Sequence, residues 1–310
     1  MYIKDLKEGQ HIEGIYLCKN KTVSIAKNGN EYYSFKLQDK TGIIDAKIWD
    51  VNNIDEFNNL DFVYIIGDVK SFNGTNQINV QNIRIANSEE YDESEYFPTT
   101  DKDIDVMFDE LLKYIDSVKN EYLNKLLHSF FDNEKFITLF KKSSAAKTVH
   151  HAFIGGLLEH TLSVTQICNF ISKKYSIINR DLLITSAILH DIGKVKELST
   201  FPENDYTDLG NLLGHIYLGT EMIGLKAKNI ENFPKPLLVE LQHCILAHHG
   251  ELEFGSPKKP SLIEATALTF ADDLDAKMEI FIEKFSNVDN FDFLGYDKFL
   301  GSNIRRTYEI

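Results

Sequence analysis

Eight of the ten histidines fall between His150 and His249. Imidazole is the commonest metal ligand and the side chain that moves protons near neutral pH, so this clustering points first to metal chemistry. Within the cluster, His190-Asp191 sits in AILHDIGK at the end of an apolar helical run. His160 lies upstream on another such run, and Asp272 lies downstream in ADDLDAKM. A lone His-Asp pair reads as structural. Several apolar helices that each carry an imidazole or a carboxylate read differently, because such groups are costly to bury unless paired or metal-bound. A bundle can build a metal site in its core from facing helices in this way.

Those helices lie in the second part of the chain. Apolar residues recur at spacings of three and four over 107–131, 153–175, 182–189, 212–223, 237–247 and 262–285, predicting an all-helical domain. Pro234, Pro236, Pro257 and Pro260 mark helix starts or loops. The first part alternates with period two, giving five strands near His11 to Ile25, Tyr32 to Gln38, Gly42 to Trp49, Phe62 to Phe72 and Gln77 to Ile85. Asn73-Gly74 is a hairpin signal between the last two, and a short helix is expected near Asn52 to Asn58. Between the two parts, eight Asp and Glu face only Lys102 over 88–105, which reads as an acidic linker. The expected organisation is residues 1–87, an 88–105 linker, and a helical domain with a C-terminal tail over 106–310.

Composition narrows the class. The 310 residues carry 33 Lys and Arg against 47 Asp and Glu, a net charge of −14, which argues against a broad basic surface for duplex DNA or anionic lipid. Residues 1–87 are nearly neutral, with ten basic against eleven acidic residues, so a local groove for a polyanion is not excluded. Cys18, Cys168 and Cys244 have no paired spacing, which fits a reduced cytoplasmic protein. The opening MYIKDLKEGQ is charged, and no apolar run reaches about 18 residues, so neither a signal peptide nor a membrane span is expected.

Five strands with a helix after the third resemble an OB-fold barrel. The pattern His160, His190-Asp191, Asp272 resembles the HD-domain metal phosphohydrolases. Lys194 in HDIGK, His215 in NLLGHIYLG and His248-His249 in ILAHHGELEFGSP resemble the binuclear branch, whose extra histidines hold a second metal. The order of OB-fold and HD domain, with AAKTVHHAFIGGLLEHTLSV, LLITSAILHDIGKVKELS, YTDLGNLLGHI, AHHGELEFGSPKKP and ADDLDAKM, resembles the YhaM-type 3′→5′ exoribonucleases over roughly residues 1 to 285.

The resemblance implies two divalent ions, Mn²⁺ first, with Fe²⁺, Co²⁺ and Zn²⁺ also suited to mixed His and carboxylate donors. His160, His190 and Asp272 would hold one ion and His215, His248 and His249 the other, with Asp191 bridging. Two cations about 3.5–4 Å apart activate water and neutralise phosphoryl charge. Asp191 and Lys194 are the candidate catalytic residues, Lys194 lying one helical turn beyond Asp191. Adjacent His248 and His249 would diverge by about 100° on a continuous helix, but Gly250 can end the helix and turn both inward. Asp273 and Asp275 are expected to face solvent or support the ligands. His243 is expected to be structural, and His11 and His128 receive no role.

For nucleic acid, Tyr32, Lys36, Lys47, Trp49 and Phe72 are candidate contacts on the barrel, since single strands bind by phosphate contact and base stacking. Trp49 packed on the small helix or the neighbouring domain is the competing reading. Lys147 and His151, with His150, are candidate contacts near the helical site. The implied partner is single-stranded RNA, with single-stranded DNA a second substrate, and the aromatic tail over 291–308 could meet a partner subunit in a homo-oligomer. Other readings are a cyclic-dinucleotide or nucleotide phosphohydrolase, and a non-catalytic nucleic-acid-binding protein with a structural metal site.

Overall fold

A computed structural model describes the chain except for residues 26–28, 52–53, 73, 148–150, 287, 289 and 309–310. It divides into two compact units, Met1–Thr99 and Thr100–Ile310. Among the described residues no helix is long and apolar enough to cross a membrane.

The first unit is a closed barrel of β1 (His11–Ile25), β2 (Glu31–Asp39), β3 (Gly42–Ile48), β4 (Phe62–Phe72) and β5 (Thr75–Ile85), in the order β1-β2-β3-β5-β4. All pairings are antiparallel except β3 with β5. Alternation puts Phe35, Leu37, Ile44, Ala46 and Ile48 inside, as the sequence pattern predicts. The hairpin residue Gly74 adopts φ +80°, while its partner Asn73 lies outside the described residues.

The short helix expected near Asn52 to Asn58 is not formed by its described residues, 54–58. The reason is local. Phe57 drops fully buried into the barrel, with ring contacts to Phe35 at 5.3 Å and Tyr33 at 6.0 Å. The Lys21 ammonium reaches its carbonyl at 2.5 Å, so this segment is an anchored plug.

Residues 88–99 belong with the barrel unit: Tyr96 and Phe97 are buried, Tyr91 stacks on Phe62 at 4.0 Å, and Glu90 makes two 2.8 Å hydrogen bonds with Arg84. The stretch from Thr100 belongs with the helices.

The second unit holds α1 (Ile104–Asp116), α2 (Glu121–Phe131), α3 (Glu134–Lys142), α4 (Gly156–Lys174), α5 (Arg180–Leu189), α6 (Lys194–Glu197), α7 (Asp208–Ala227), α8 (Lys235–Ala247) and α9 (Ile263–Phe285). The apolar run over 107–131 becomes two helices because Asn120 caps α2, accepting from the Tyr122 and Leu123 amides, and Asp181 takes the Lys119 and Asn120 amides. Buried residues of α4, α5, α8 and α9 form one core, and α5 is buried from Leu182 to Leu189. Any polar group at the end of α5 therefore emerges inside the protein. The tail forms a two-strand hairpin, β6 (Tyr296–Asp297) and β7 (Ser302–Asn303), tied to α9 by Lys284 and Asp297 at 3.2 Å.

Trp49 is the only tryptophan and reports on the barrel alone. Phe57→Ala is expected to lower barrel stability by about 3–5 kcal/mol, read as a lower denaturant midpoint in Trp49 fluorescence. An unchanged midpoint would remove Phe57 from the barrel core.

Candidate metal centre

Helix ends and one helix break aim the histidines. His190 caps the C-terminus of α5, and its Nδ1–H donates to the Ala187 carbonyl at 2.8 Å. His248 caps α8 in the same way, donating to Ile245 at 2.7 Å. A carbonyl can only accept, so each ring carries its hydrogen on Nδ1 and presents the Nε2 lone pair inward. His160, in the second turn of α4, donates from Nδ1 to Asp275 at 2.7 Å. His215 depends on a glycine. Gly214 has φ +72°, which interrupts α7 and frees the His215 amide from helical bonding. Glu197 on α6 accepts from both that amide and His215 Nδ1–H, each at 2.9 Å.

The four rings surround Asp191. Its Oδ2 lies 3.4 Å from both His160 Nε2 and His190 Nε2 and 2.6 Å from the Lys194 ammonium. Its Oδ1 lies 3.4 Å from His215 Nε2 and 3.7 Å from His248 Nε2. Asp272 on α9 completes the first group, with Oδ1 at 3.2 Å from His160 Nε2 and 3.8 Å from His190 Nε2. α8 stops at Ala247 and Gly250 takes φ +78°, so His249 turns the same way as His248, with ring centroids 4.2 Å apart. Ligand atoms of His160, His190 and Asp272 fall within 4.8 Å of one another, and so do those of His215, His248 and His249.

The electrostatics fit a cation. Burial alone would raise the Asp191 carboxyl, but the Lys194 ammonium and His190 hold it well below the usual carboxylate range. Burial would likewise lower His160, yet Asp191, Asp272 and Asp275 raise it well above an ordinary imidazole. A positive charge is thus favoured between the carboxylates. His248 behaves oppositely: burial, then His249 and His190, push it far down, leaving a neutral lone-pair donor. Among the described residues, buried His215 Nε2, His248 Nε2 and Asp191 Oδ1 have no hydrogen-bond partner. Two imidazole lone pairs facing a carboxylate oxygen lack a hydrogen to share, and a divalent ion satisfies all three.

A cavity of about 370 Å³ opens onto the cluster, lined among others by His151, His160, Asp191, Lys194, His249 and Asp272. All seven sequence-predicted ligands and Lys194 therefore meet at one place. The other candidates divide. His151 is buried beside the cluster, with Nε2 at 3.2 Å from Asp275, and lines the same cavity, while His150 lies outside the described residues. Lys147 is exposed and paired with Asp205 at 2.5 Å. Asp273 pairs with Lys277 at 2.7 Å, and His243 accepts from the Ser261 amide at 2.9 Å.

Two supporting carboxylates stand out. Asp275 gathers His160, His151 and the Ser163 hydroxyl. Glu197 carries no signal in the sequence except its position one turn after Lys194. On the barrel, Trp49 stacks on Tyr32 at 4.7 Å, and the Lys47 ammonium lies 5.3, 5.6 and 5.8 Å from the Trp49, Tyr32 and Phe72 rings. Trp49 is about half exposed and Phe72 largely so, and with Tyr32 they form an aromatic patch on the barrel. Lys36 lies 3.5 Å from Asp45.

Removing the support without touching a ligand gives a test. Glu197→Ala frees the His215 ring and is expected to weaken Mn²⁺ binding about 10–100-fold, measured by calorimetric titration. Unchanged affinity would show that Glu197 does not fix His215 for metal.

The sequence comparisons agree with this geometry. The HD domain family matches residues 157–277, and the OB-fold nucleic acid binding domain family matches 18–86. An HD domain implies divalent metal binding, and its span contains every residue of the cluster. The 3'-5' exoribonuclease YhaM of Bacillus velezensis is 36% identical over 87% of this chain and 86% of its own. The protein of the same name from Bacillus subtilis is 36% identical over 88% and 87%. That of Listeria innocua is 35% identical over 89% and 88%. With a barrel, a helical HD domain and this identity along nearly its whole length, the chain belongs to the YhaM family of 3′→5′ exoribonucleases.

Proposed function

We propose that the protein is a metal-dependent exonuclease that removes nucleotides from the 3′ end of single-stranded RNA, with single-stranded DNA a second substrate, and releases 5′-mononucleotides. The observation that carries this reading is the placement of Asp191, one oxygen toward His160 and His190 and the other toward His215 and His248. In this reading His160, His190, Asp191 and Asp272 hold one ion and Asp191, His215, His248 and His249 hold a second. Mn²⁺ is the first choice for both, among the metals that suit mixed imidazole and carboxylate donors.

Bound ions supply a water of lowered pKa and neutralise charge on the phosphoryl oxygens. The protein's own groups do the rest. Asp191 keeps both ligand groups around one carboxylate. Lys194, held charged beside it, places an ammonium on the cavity wall where a phosphoryl oxygen gains charge. Asp275 and Glu197 fix His160 and His215, so no ring must reorient as the phosphate enters.

On the barrel, Tyr32, Trp49 and Phe72 offer ring faces to bases, and Lys47 among them offers charge to a phosphate. Lys36 and Lys147 add outer phosphate contacts. The three cysteines are free and buried, which suits a reducing, cytoplasmic setting.

The test is Asp191→Ala with a labelled single-stranded RNA and Mn²⁺. Release of 5′-mononucleotide is expected to fall on the order of 10³-fold or more, with RNA binding retained. Unchanged turnover in that variant would overturn the reading.

A further inference from the structure

His151 is held with unusual firmness for a residue outside the ligand set. Its backbone is left-handed, φ +61°, a conformation uncommon outside glycine although histidine and asparagine enter it more readily than most. Its carbonyl accepts from the Ala145 amide at 3.0 Å, and Gly156 packs so closely that a Cβ there would lie 2.0 Å from that oxygen. The ring is 3% exposed and lines the cavity of the metal cluster.

One face of the ring is accounted for. Nε2 lies 3.2 Å from Asp275, whose carboxylate also takes hydrogens from His160 and Ser163 and only accepts. Nε2 therefore carries the hydrogen. His151, His160 and Asp275 lie close enough to hold an ion, but their facing atoms already share hydrogen bonds. Nδ1 is left as a buried lone-pair acceptor with no partner among the described residues. Such an atom calls for a ligand that brings a hydrogen.

A strand ending in this cavity has few to bring. Phosphate oxygens only accept, and base donors change with sequence. Sugar hydroxyls are the constant donors, and of these the 3′-hydroxyl is free at only one nucleotide, the last, because every internal 3′-oxygen is esterified. We propose that His151 Nδ1 accepts a hydrogen bond from the 3′-terminal hydroxyl, so that the site recognises a strand end; this rests on the exonuclease reading above. A terminal 3′-phosphate, mostly a dianion at neutral pH, has no hydrogen to offer Nδ1.

The experiment uses the full chain with Mn²⁺ and three RNAs that differ only in the last nucleotide: ribose, 3′-deoxyribose or 2′-deoxyribose. Release of that nucleotide is followed as kcat/KM. The wild type is expected to lose about tenfold on the 3′-deoxy end and little on the 2′-deoxy end. In His151→Ala, and in His151→Asn, which suits the left-handed backbone, the ratio between 3′-hydroxyl and 3′-deoxy ends is expected to fall to about one. The proposal is overturned if that ratio survives in both variants, if it is already about one in the wild type, or if the 2′-deoxy end is the one whose discrimination disappears. Release of no mononucleotide from any strand by the wild type would instead overturn the exonuclease reading, and this assignment with it.

Discussion

The structure turns on the cost of gathering carboxylates and imidazole lone pairs at a largely buried site. Asp191, Asp272 and Asp275 all lie within reach of His160, and the Lys194 ammonium pairs directly with Asp191. Uncompensated, such a cluster would oppose folding by several kcal/mol. A proton on His160 or a cation between the groups relieves it. In the second group His248 is held neutral by burial and by its neighbouring histidines, so its lone pair stays open to a cation. The packing therefore favours a cation beside these carboxylates and imidazole lone pairs.

The surrounding helices serve that requirement through their ends. α5 and α8 terminate on histidines whose Nδ1 hydrogens satisfy the last turn of the helix, and α7 breaks at Gly214 so that Glu197 can take His215 by ring and amide together. On α9, Asp272 and Asp275 are three residues apart and so share a face, one toward the rings' Nε2 atoms and one behind His160. The barrel contributes a different chemistry. Residues 1–87 are nearly neutral, residues 88–99 add only acidic charge, and exposed aromatics surround one lysine, so engagement of a polyanion there depends on stacking more than on bulk charge.

Much of this was legible in the sequence. Period-two alternation sets the five strands because each barrel residue faces either core or solvent, and His160, His190, Asp191 and Asp272 stand out because buried histidines and aspartates on apolar helices have few structural uses, whereas His215, His248 and His249 are singled out by the resemblance to the binuclear HD branch. What escaped were features set by tertiary geometry. Glu197 looks like any surface glutamate until the Gly214 break frees an amide for it. Asp275 is indistinguishable from Asp273 until α9 is placed against α4. His151 reads as a candidate contact ahead of a helix, but its burial under Gly156 and Ala145 and its bond to Asp275 are set by tertiary packing. The segment over 54–58 lost its expected helix because Phe57 has more to gain inside the barrel than a short helix has to offer.

The central claim is that Asp191 joins two cation sites, and the most direct measurement is metal content. Full-length protein equilibrated with Mn²⁺, separated from free ion and analysed by inductively coupled plasma mass spectrometry, is expected to hold two ions per chain. His248→Ala is expected to hold one, because His160, His190 and Asp272 remain intact beside Asp191. One ion or none in the wild type, or two in His248→Ala, would contradict the account.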